Sequence, residues 1–230
     1  MEGNAEMSAD GGMSTPATAA GAAGTPDGGR GARSAPASAT GPRVRDSEAA
    51  KARLLQAATD EFAAYGIAGA RIDRIGAAAR VNKAQIYTYF GNKDQLFDVV
   101  LDTHVARILD QVPFTPEDLP GYAGRLFDFL IANPHQIRLA TWNRMERTSG
   151  RAGPPELLAS TGLKTRAITE AQAAGHIPGT FTPEDLLVFT MALATAWTPT
   201  FPMPHATVDT ENLRAHRAAI VAAVRRLVAD

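Results

Sequence analysis

The sequence predicts an all-α fold in which a small N-terminal helix-turn-helix unit precedes a larger helical bundle. Three observations carry that prediction. Apolar residues recur one helical turn apart, as in Leu54, Ala58 and Phe62, in Ile86 and Phe90, and in Phe189, Leu193 and Trp197. Short helical signals crowd into residues 50–97, separated by Gly66, Gly69 and an Arg80-Val81-Asn82 turn. Farther on, Asn133-Pro134 and Thr182-Pro183-Glu184-Asp185 punctuate the chain as a helix stop and a helix start.

The 230 residues, 45% of them hydrophobic, supply enough apolar side chain for a sizeable core and divide into regions 1–44, 45–98 and 99–230. From Gly11 to Pro42 nearly every residue is Gly, Ala, Ser, Thr or Pro. Such side chains bury little against the entropy lost on ordering, so the first region reads as a disordered tail. It lacks the basic start and compact apolar stretch of a secretory signal, and no later run approaches the roughly 18 apolar residues of a membrane span. A soluble, cytoplasmic protein without membrane contact is expected. Having no cysteine excludes disulfides, thiolate metal sites and cysteine nucleophiles. The net charge of -1 gives no support to coating of nucleic acid through overall positive potential. Between Gly66 and Lys93, however, Arg71, Arg74, Arg80, Lys83 and Lys93 face the single acid Asp73. On charge alone that stretch suits phosphates and an ordinary solvated surface equally.

The first helix is expected from Asp46 or Ser47, either of which can cap it, to Tyr65, with Leu54, Leu55, Ala58 and Phe62 as its apolar stripe. Gly66 and Gly69 break it. The second begins near Arg71, with Ile72, Ile75 and Ala79 on one side and Arg71 and Arg74 reaching outward. Asn82 is a good N-cap for the third, and Val81 before it can pack back as a staple. Ile86 and Phe90, one turn apart, turn inward and leave Lys83, Ala84, Gln85, Tyr87 and Thr88 wholly or partly exposed. Gly91-Asn92 closes that helix before Lys93 opens a longer one lined by Leu96, Phe97, Val100 and Leu101. Two short helices joined by a tight turn and braced by a first and a fourth form a helix-turn-helix, whose second member enters the DNA major groove.

Each exposed residue has a task under that reading. Gln85 can offer a donor and an acceptor to an adenine edge, Lys83 can donate to guanine or phosphate, and Thr88 and Ala84 are short enough for close approach. Tyr87, Tyr89 and Lys93 suit backbone phosphates, as does Arg71 from the second helix. Tyr89 reads equally well as core with only its hydroxyl wet. Arg43 and Arg45 either enter a minor groove or simply solubilise the linker.

The runs Phe62-Ala63-Ala64-Tyr65-Gly66-Ile67 and Ile72 through Leu96, ending in Ile-Tyr-Thr-Tyr-Phe-Gly-Asn-Lys-Asp-Gln-Leu, resemble the DNA-binding domain of TetR/AcrR-type bacterial transcriptional regulators. The resemblance covers about fifty residues. It implies phosphate contacts for Tyr87, Tyr89 and Lys93 and base contacts at or near Lys83, Ala84, Gln85 and Thr88. It further implies an all-helical C-terminal domain that dimerises through its last two helices and often holds a small-molecule inducer. Ala70 stands where the family usually has a capping threonine, and Arg80 and Ala84 replace frequent glycines. Arg80 must then take a strained turn geometry, or the turn differs locally.

Beyond the boundary near residue 98, helices are expected over 115–133, 135–146, 156–174, from Thr182 onward, and over 210–228, with a break at 149–155. Leu213, Ile220, Val224 and Leu227 line one side of the last, and Arg225 and Arg226 stay wet. Its small residues Ala218 to Ala223, with Ala192 to Ala196 of the helix before, permit a symmetric four-helix contact between two subunits. The competing reading is an intrachain bundle in which alanine only raises helix propensity. Phe127, Arg138, Trp142, Met145, Met191 and Trp197 are the candidate effector contacts, with Phe181, Asn143 and His135 as further candidates.

The expected function is a sequence-specific regulator of transcription: a homodimer on double-stranded operator DNA, repressing until a small-molecule effector binds. An enzyme is not expected, because His104, His135, His176, His205 and His216 are scattered and the acids show no paired arrangement around a nucleophile. No catalytic residue, metal site or cofactor is expected. The alternative is a helical protein-interaction adaptor without DNA binding.

Overall fold

The computed structural model describes residues 42–147, 153–198 and 210–229. Residues 1–41 of the expected tail, and 149–152 of the expected break, lie outside the described residues, as do the side chains of Arg43 and Arg45. The described residues form an all-α fold: α1 (Pro42–Gly69), α2 (Ile72–Ala79), α3 (Lys83–Phe90), α4 (Lys93–Gln111), α5 (Leu119–Ala132), α6 (Pro134–Glu146), α7 (Pro155–Ala173), α8 (Pro183–Thr195) and α9 (Thr210–Leu227). None of these helices is long and apolar enough to cross a membrane.

α1 begins at Pro42, ahead of its expected caps, so Ser47 sits within it and its hydroxyl meets that of Tyr89 at 3.2 Å. Helix α5 starts later than expected because a 3-10 turn, Pro116–Asp118, precedes it; Asp118 then caps it by accepting the Gly121 N–H at 2.9 Å. The expected boundary at residue 98 falls inside α4, one continuous helix joining the two regions.

Each region has its own core. Leu54, Phe62, Ile75, Ile86, Leu96 and Phe97 fill the first, where the Phe62 and Phe97 rings meet edge-on at 5.1 Å. Leu139 of α6 completes it, fully buried among α1 to α4. Burial of one leucine is worth about 2 kcal/mol, so this side chain contributes substantially to fastening α6 to the helix-turn-helix. In the second core α5 packs against α8 and α9 and buries Phe127, Leu186, Ile220 and Val224.

Along α8 the core face is Leu186, Leu187, Thr190 and Ala194, not the Phe189-Leu193-Trp197 row that the spacing favours. Phe189 is exposed, while Leu193 and Trp197 are half-buried. The helix is apolar around much of its circumference, so periodicity cannot select the buried side.

His104 of α4 lies between α1 and α6, with Nε2 3.4 Å from the Thr59 hydroxyl. Burial lowers its pKa below the usual imidazole value; Gln136 opposes the shift, and the charges of His135 and Arg107 add to it. The unfolded chain takes up this proton near pH 6.5 and the folded chain only below that, so stability is full above about 6.5 and falls with acid through the lower folded value. Urea midpoints at about pH 8 and about pH 5 should therefore differ more in the wild type than in His104→Gln. Equal differences would place the acid sensitivity elsewhere.

Candidate nucleic-acid interface

The helix-turn-helix is closed by backbone geometry. α2 ends with Arg80 in the left-handed region, φ 56 and ψ 46, the one non-glycine with positive φ among the described residues. The Val81 N–H donates to Gly76 O at 2.9 Å and the Arg80 N–H to Ala77 O at 3.3 Å, satisfying two helix-end carbonyls. A Cβ on Gly76 would stand 2.8 Å from Val81 O, so only glycine lets the chain turn this closely. Arg80 therefore takes the strained geometry that the sequence requires in the absence of the usual glycine. Arg80→Gly should raise the unfolding free energy by about 0.5 to 1 kcal/mol, the left-handed penalty less the entropy that glycine adds to the unfolded chain. A denaturant titration showing no gain would mean that the Arg80 side chain offsets its own strain.

Asn82 caps α3 in a reciprocal box: its side chain accepts the Gln85 N–H at 2.8 Å, and Gln85 Oε1 accepts the Asn82 N–H at 3.3 Å. Asn92 and Gln95 repeat the box at the start of α4. Ile86 and Phe90 are buried, so the opposite side of α3 presents Lys83, Ala84, Gln85, Tyr87, Thr88 and Tyr89 to solvent. Tyr89 is 36% exposed, with its ring edge against Phe90. Lys83 Nζ lies 3.2 Å from Asp73 of α2, and the Thr88 hydroxyl donates to Ala84 O. Lys93 Nζ donates to Ala68 O at 3.2 Å and Ala70 O at 3.3 Å, which leaves one of its three hydrogens for another acceptor. The Arg71 side chain is exposed at the head of α2.

Arg74, expected to reach outward with Arg71, folds back over α1 with its side chain still 40% exposed. Its Nε donates to both oxygens of Glu61, at 2.8 and 3.1 Å, its NH2 donates to Gly69 O, and its guanidinium lies 4.3 Å from the Tyr65 ring centre. Glu61 is a buried carboxylate of α1 that also accepts the Arg71 N–H at 2.8 Å. It thereby satisfies a backbone N–H at the head of α2, where Ala70 has no hydroxyl to offer. Burial alone would raise the Glu61 pKa, but the Arg74 and Arg71 hydrogen bonds and charges outweigh it and hold the carboxyl below its usual value. The sequence carried one unused signal for it: an acid beside Phe62, three residues after Ala58, at the edge of the apolar stripe.

Helix α6 grips this unit from behind. Arg138 Nε donates to Ala63 O at 2.7 Å and Trp142 Nε1 to the same carbonyl at 3.3 Å, while Glu146 accepts the Ala68 N–H at 2.8 Å. The carbonyl is left accessible near the break in α1 at Gly66, where φ is 71 and ψ is -175. Arg147 then reaches α4, donating to Asp94 O at 3.1 Å, pairing with Asp98 and lying over the Phe97 ring.

The candidate effector residues are consequently scattered. Arg138 and Trp142 hold α1, Met145 is 62% exposed, Phe127 is buried in the second core, and Trp197 stacks on His216 at 3.5 Å. Of the six, Met191 lines a cavity of about 490 Å³ between α4, α5, α6, α7 and α8, as does the further candidate Asn143. Gln136, Arg144, Arg147 and Thr195, none of them singled out for this role from the sequence, are further polar lining residues.

A helix-turn-helix with a solvated polar reading face, mounted on a second helical domain, defines a DNA-binding transcriptional regulator. Residues 54–100 match the family described as bacterial regulatory proteins, tetR family, and residues 118–226 match the tetracyclin repressor-like C-terminal domain. The chain is 42% identical over 151 residues to the HTH-type transcriptional repressor SCO4008 of Streptomyces coelicolor, a match covering 65% of this chain and 79% of that one. It belongs to the TetR family. The crystal structure of the regulator SCO4942, also from Streptomyces coelicolor, aligns with a TM-score of 0.66 at 34% identity, over 77% of this chain and 97% of that one. AibR, crystallised with isovaleryl coenzyme A and operator DNA, shares the fold at 15% identity and a TM-score of 0.57, over 76% of this chain and 97% of its own.

Proposed function

We propose that the protein is a homodimeric repressor that binds a symmetric operator and leaves it when a small molecule occupies the cavity between α4, α5, α6, α7 and α8. The observation that carries this reading is the exposed polar side of α3 opposite buried Ile86 and Phe90. In it, Lys83, Ala84, Gln85 and Thr88 meet base edges, and Arg71, Tyr87, Tyr89 and Lys93 hold phosphates. Residues 45–98 form the DNA-binding part and 99–230 the dimerisation and effector part, working on DNA in the cytoplasm. The repressor name of SCO4008 and the two ligands of AibR support the reading. An adaptor without DNA binding leaves the solvated face of α3 without a purpose, and family membership counts against it.

Selection of random duplexes by the purified protein, followed by sequencing, tests it: a palindromic consensus supports the dimer, and recovery of no consensus rejects operator binding. Gln85 offers a sharper test. Gln85→Glu keeps the acceptor that caps α3, so stability should change by less than about 0.5 kcal/mol. Losing the amide donor should cost about 1 to 3 kcal/mol at an adenine contacted by Gln85 and shift the selected base there. An unaltered consensus would remove Gln85 from base reading.

A further inference from the structure

The cavity has a chemical polarity that narrows what it can hold. Its walls are mainly Leu, Val and Ile side chains from α4 and α5, with Ile137 and Ala140 from α6, Leu157 from α7 and Met191 from α8. Most of the polar lining residues, Gln136, Asn143 and Arg144, belong to α6, with Arg147 just after it and Thr195 on α8. Gln136 is buried; its Oε1 and the Nδ1 of neighbouring His104 each lack a partner of full hydrogen-bond geometry, while the two side chains lie close enough for Gln136 to oppose the burial that lowers the His104 pKa. A buried amide oxygen without a donor is costly, so this end of the cavity suits a hydrogen-bond donor. Two helical turns farther along, Arg144 is exposed at the lining and has no carboxylate partner among the described residues. Arg147 beside it is already engaged by Asp94 and Asp98. No acidic side chain among the described residues lines this cavity; Asp98 and Asp102 line the smaller pocket that adjoins it at Asn143 and Arg147.

We infer that this cavity takes an elongated organic anion: an anionic group at Arg144, an apolar body against the α4 and α5 walls, and a hydroxyl or amide N–H at Gln136. The inference rests on the proposed reading that the cavity is the effector site, and it adds the ligand's class and orientation. The eight-residue separation along α6 sets the spacing between the two polar ends at about 12 Å. The anion sits where it keeps part of its hydration, and a guanidinium offers it paired donors. The donor end enters the dry part of the cavity, where an unmatched Gln136 penalises any ligand lacking it. A cavity near 490 Å³ accommodates a molecule of that length.

Three probes of equal chain length separate these terms: 10-hydroxydecanoate, 1,10-decanediol without the anion, and decanoate without the far hydroxyl. Calorimetric titration of the full chain should show the hydroxy acid binding about tenfold tighter than the diol and several-fold tighter than decanoate. Arg144→Met should erase the preference over the diol alone, and Arg144→Lys should keep part of it. Gln136→Leu should erase the preference over decanoate alone. Because Arg144 is exposed, its variants remain informative if the buried Gln136 substitution disturbs folding. Ile137→Trp, which fills the cavity, should abolish binding of all three. Equal affinities for the hydroxy acid and the diol, lost together in Ile137→Trp, would overturn the anion while leaving the effector site standing. Binding of none, or binding that survives Ile137→Trp, would overturn both.

Discussion

Gly66→Ala is expected to unfold the protein at a markedly lower temperature and to weaken operator binding at temperatures where it remains folded. At φ 71 and ψ -175 the backbone occupies a region that is nearly closed to residues with a Cβ, a strain of about 1 to 3 kcal/mol. The new methyl would also collide with the Glu146 carboxylate and come within 2.9 Å of the Trp142 ring. Either the methyl drives α6 off α1 or the break in α1 reorganises. In both cases the Ala68 N–H loses its acceptor and the shared carbonyl of Ala63 loses geometry with Arg138 and Trp142. Together these effects approach 4 kcal/mol, a large part of the roughly 5 to 15 kcal/mol that holds such a chain folded. The same contacts fix the helix-turn-helix relative to the second domain, so operator affinity should fall by more than about tenfold even below the new melting point. Scanning calorimetry and a mobility-shift titration check the two halves. Glu146→Gln, which keeps an acceptor for Ala68, should do much less; a Gly66→Ala protein with unchanged melting and unchanged operator affinity would show that this junction positions nothing.

The parts of the fold that were legible in the sequence are those where local chemistry and burial agree. Asn82 caps its helix as its residue type indicates, and Ile86 and Phe90 are the only large apolar residues of that helix besides the tyrosines. Thr182-Pro183 opens α8 as its composition demands, with the Thr182 hydroxyl accepting the Asp185 N–H. What was hidden depends on partners far along the chain. Arg74 looks like any outward arginine until Glu61, thirteen residues earlier, is known to be buried beneath it. Trp142 and Arg138 read as cavity residues because large aromatic and cationic side chains suit ligands, yet their partner is a carbonyl more than seventy residues away. No spacing rule within α6 encodes that contact. The apolar circumference of α8 hid its buried side in the same manner, since only the packing of α5, α7 and α9 around it decides which residues face inward.

That circumference supplies the second large expected effect. Val188→Glu should convert the proposed dimer to a monomer and lower operator affinity by about a hundredfold or more, without unfolding the protomer. Val188 is 60% exposed in the single chain, so a carboxylate there stays hydrated and should change protomer stability by no more than about 0.5 kcal/mol. Phe189, Met191 and Ala192 are exposed beside it, and α9 presents a row of exposed alanines at 215, 218, 219 and 222. If these two helices pack on their symmetry mates, each substitution enters the interface twice and places two carboxylates in one desolvated contact. An uncompensated buried charge costs roughly 3 to 5 kcal/mol, enough to dissociate the pair at micromolar concentration. A monomer then loses the gain of about 10² to 10⁴ that a second linked half-site provides. Sedimentation measures the assembly and a mobility shift on a full palindromic site measures the affinity, with Ala218→Glu as the matching change on α9. The exposed Leu158 and Leu163 of α7 offer the contrasting surface. A dimer that survives Val188→Glu and Ala218→Glu but falls apart in Leu163→Glu would move the interface to α7 and remove the last two helices from it.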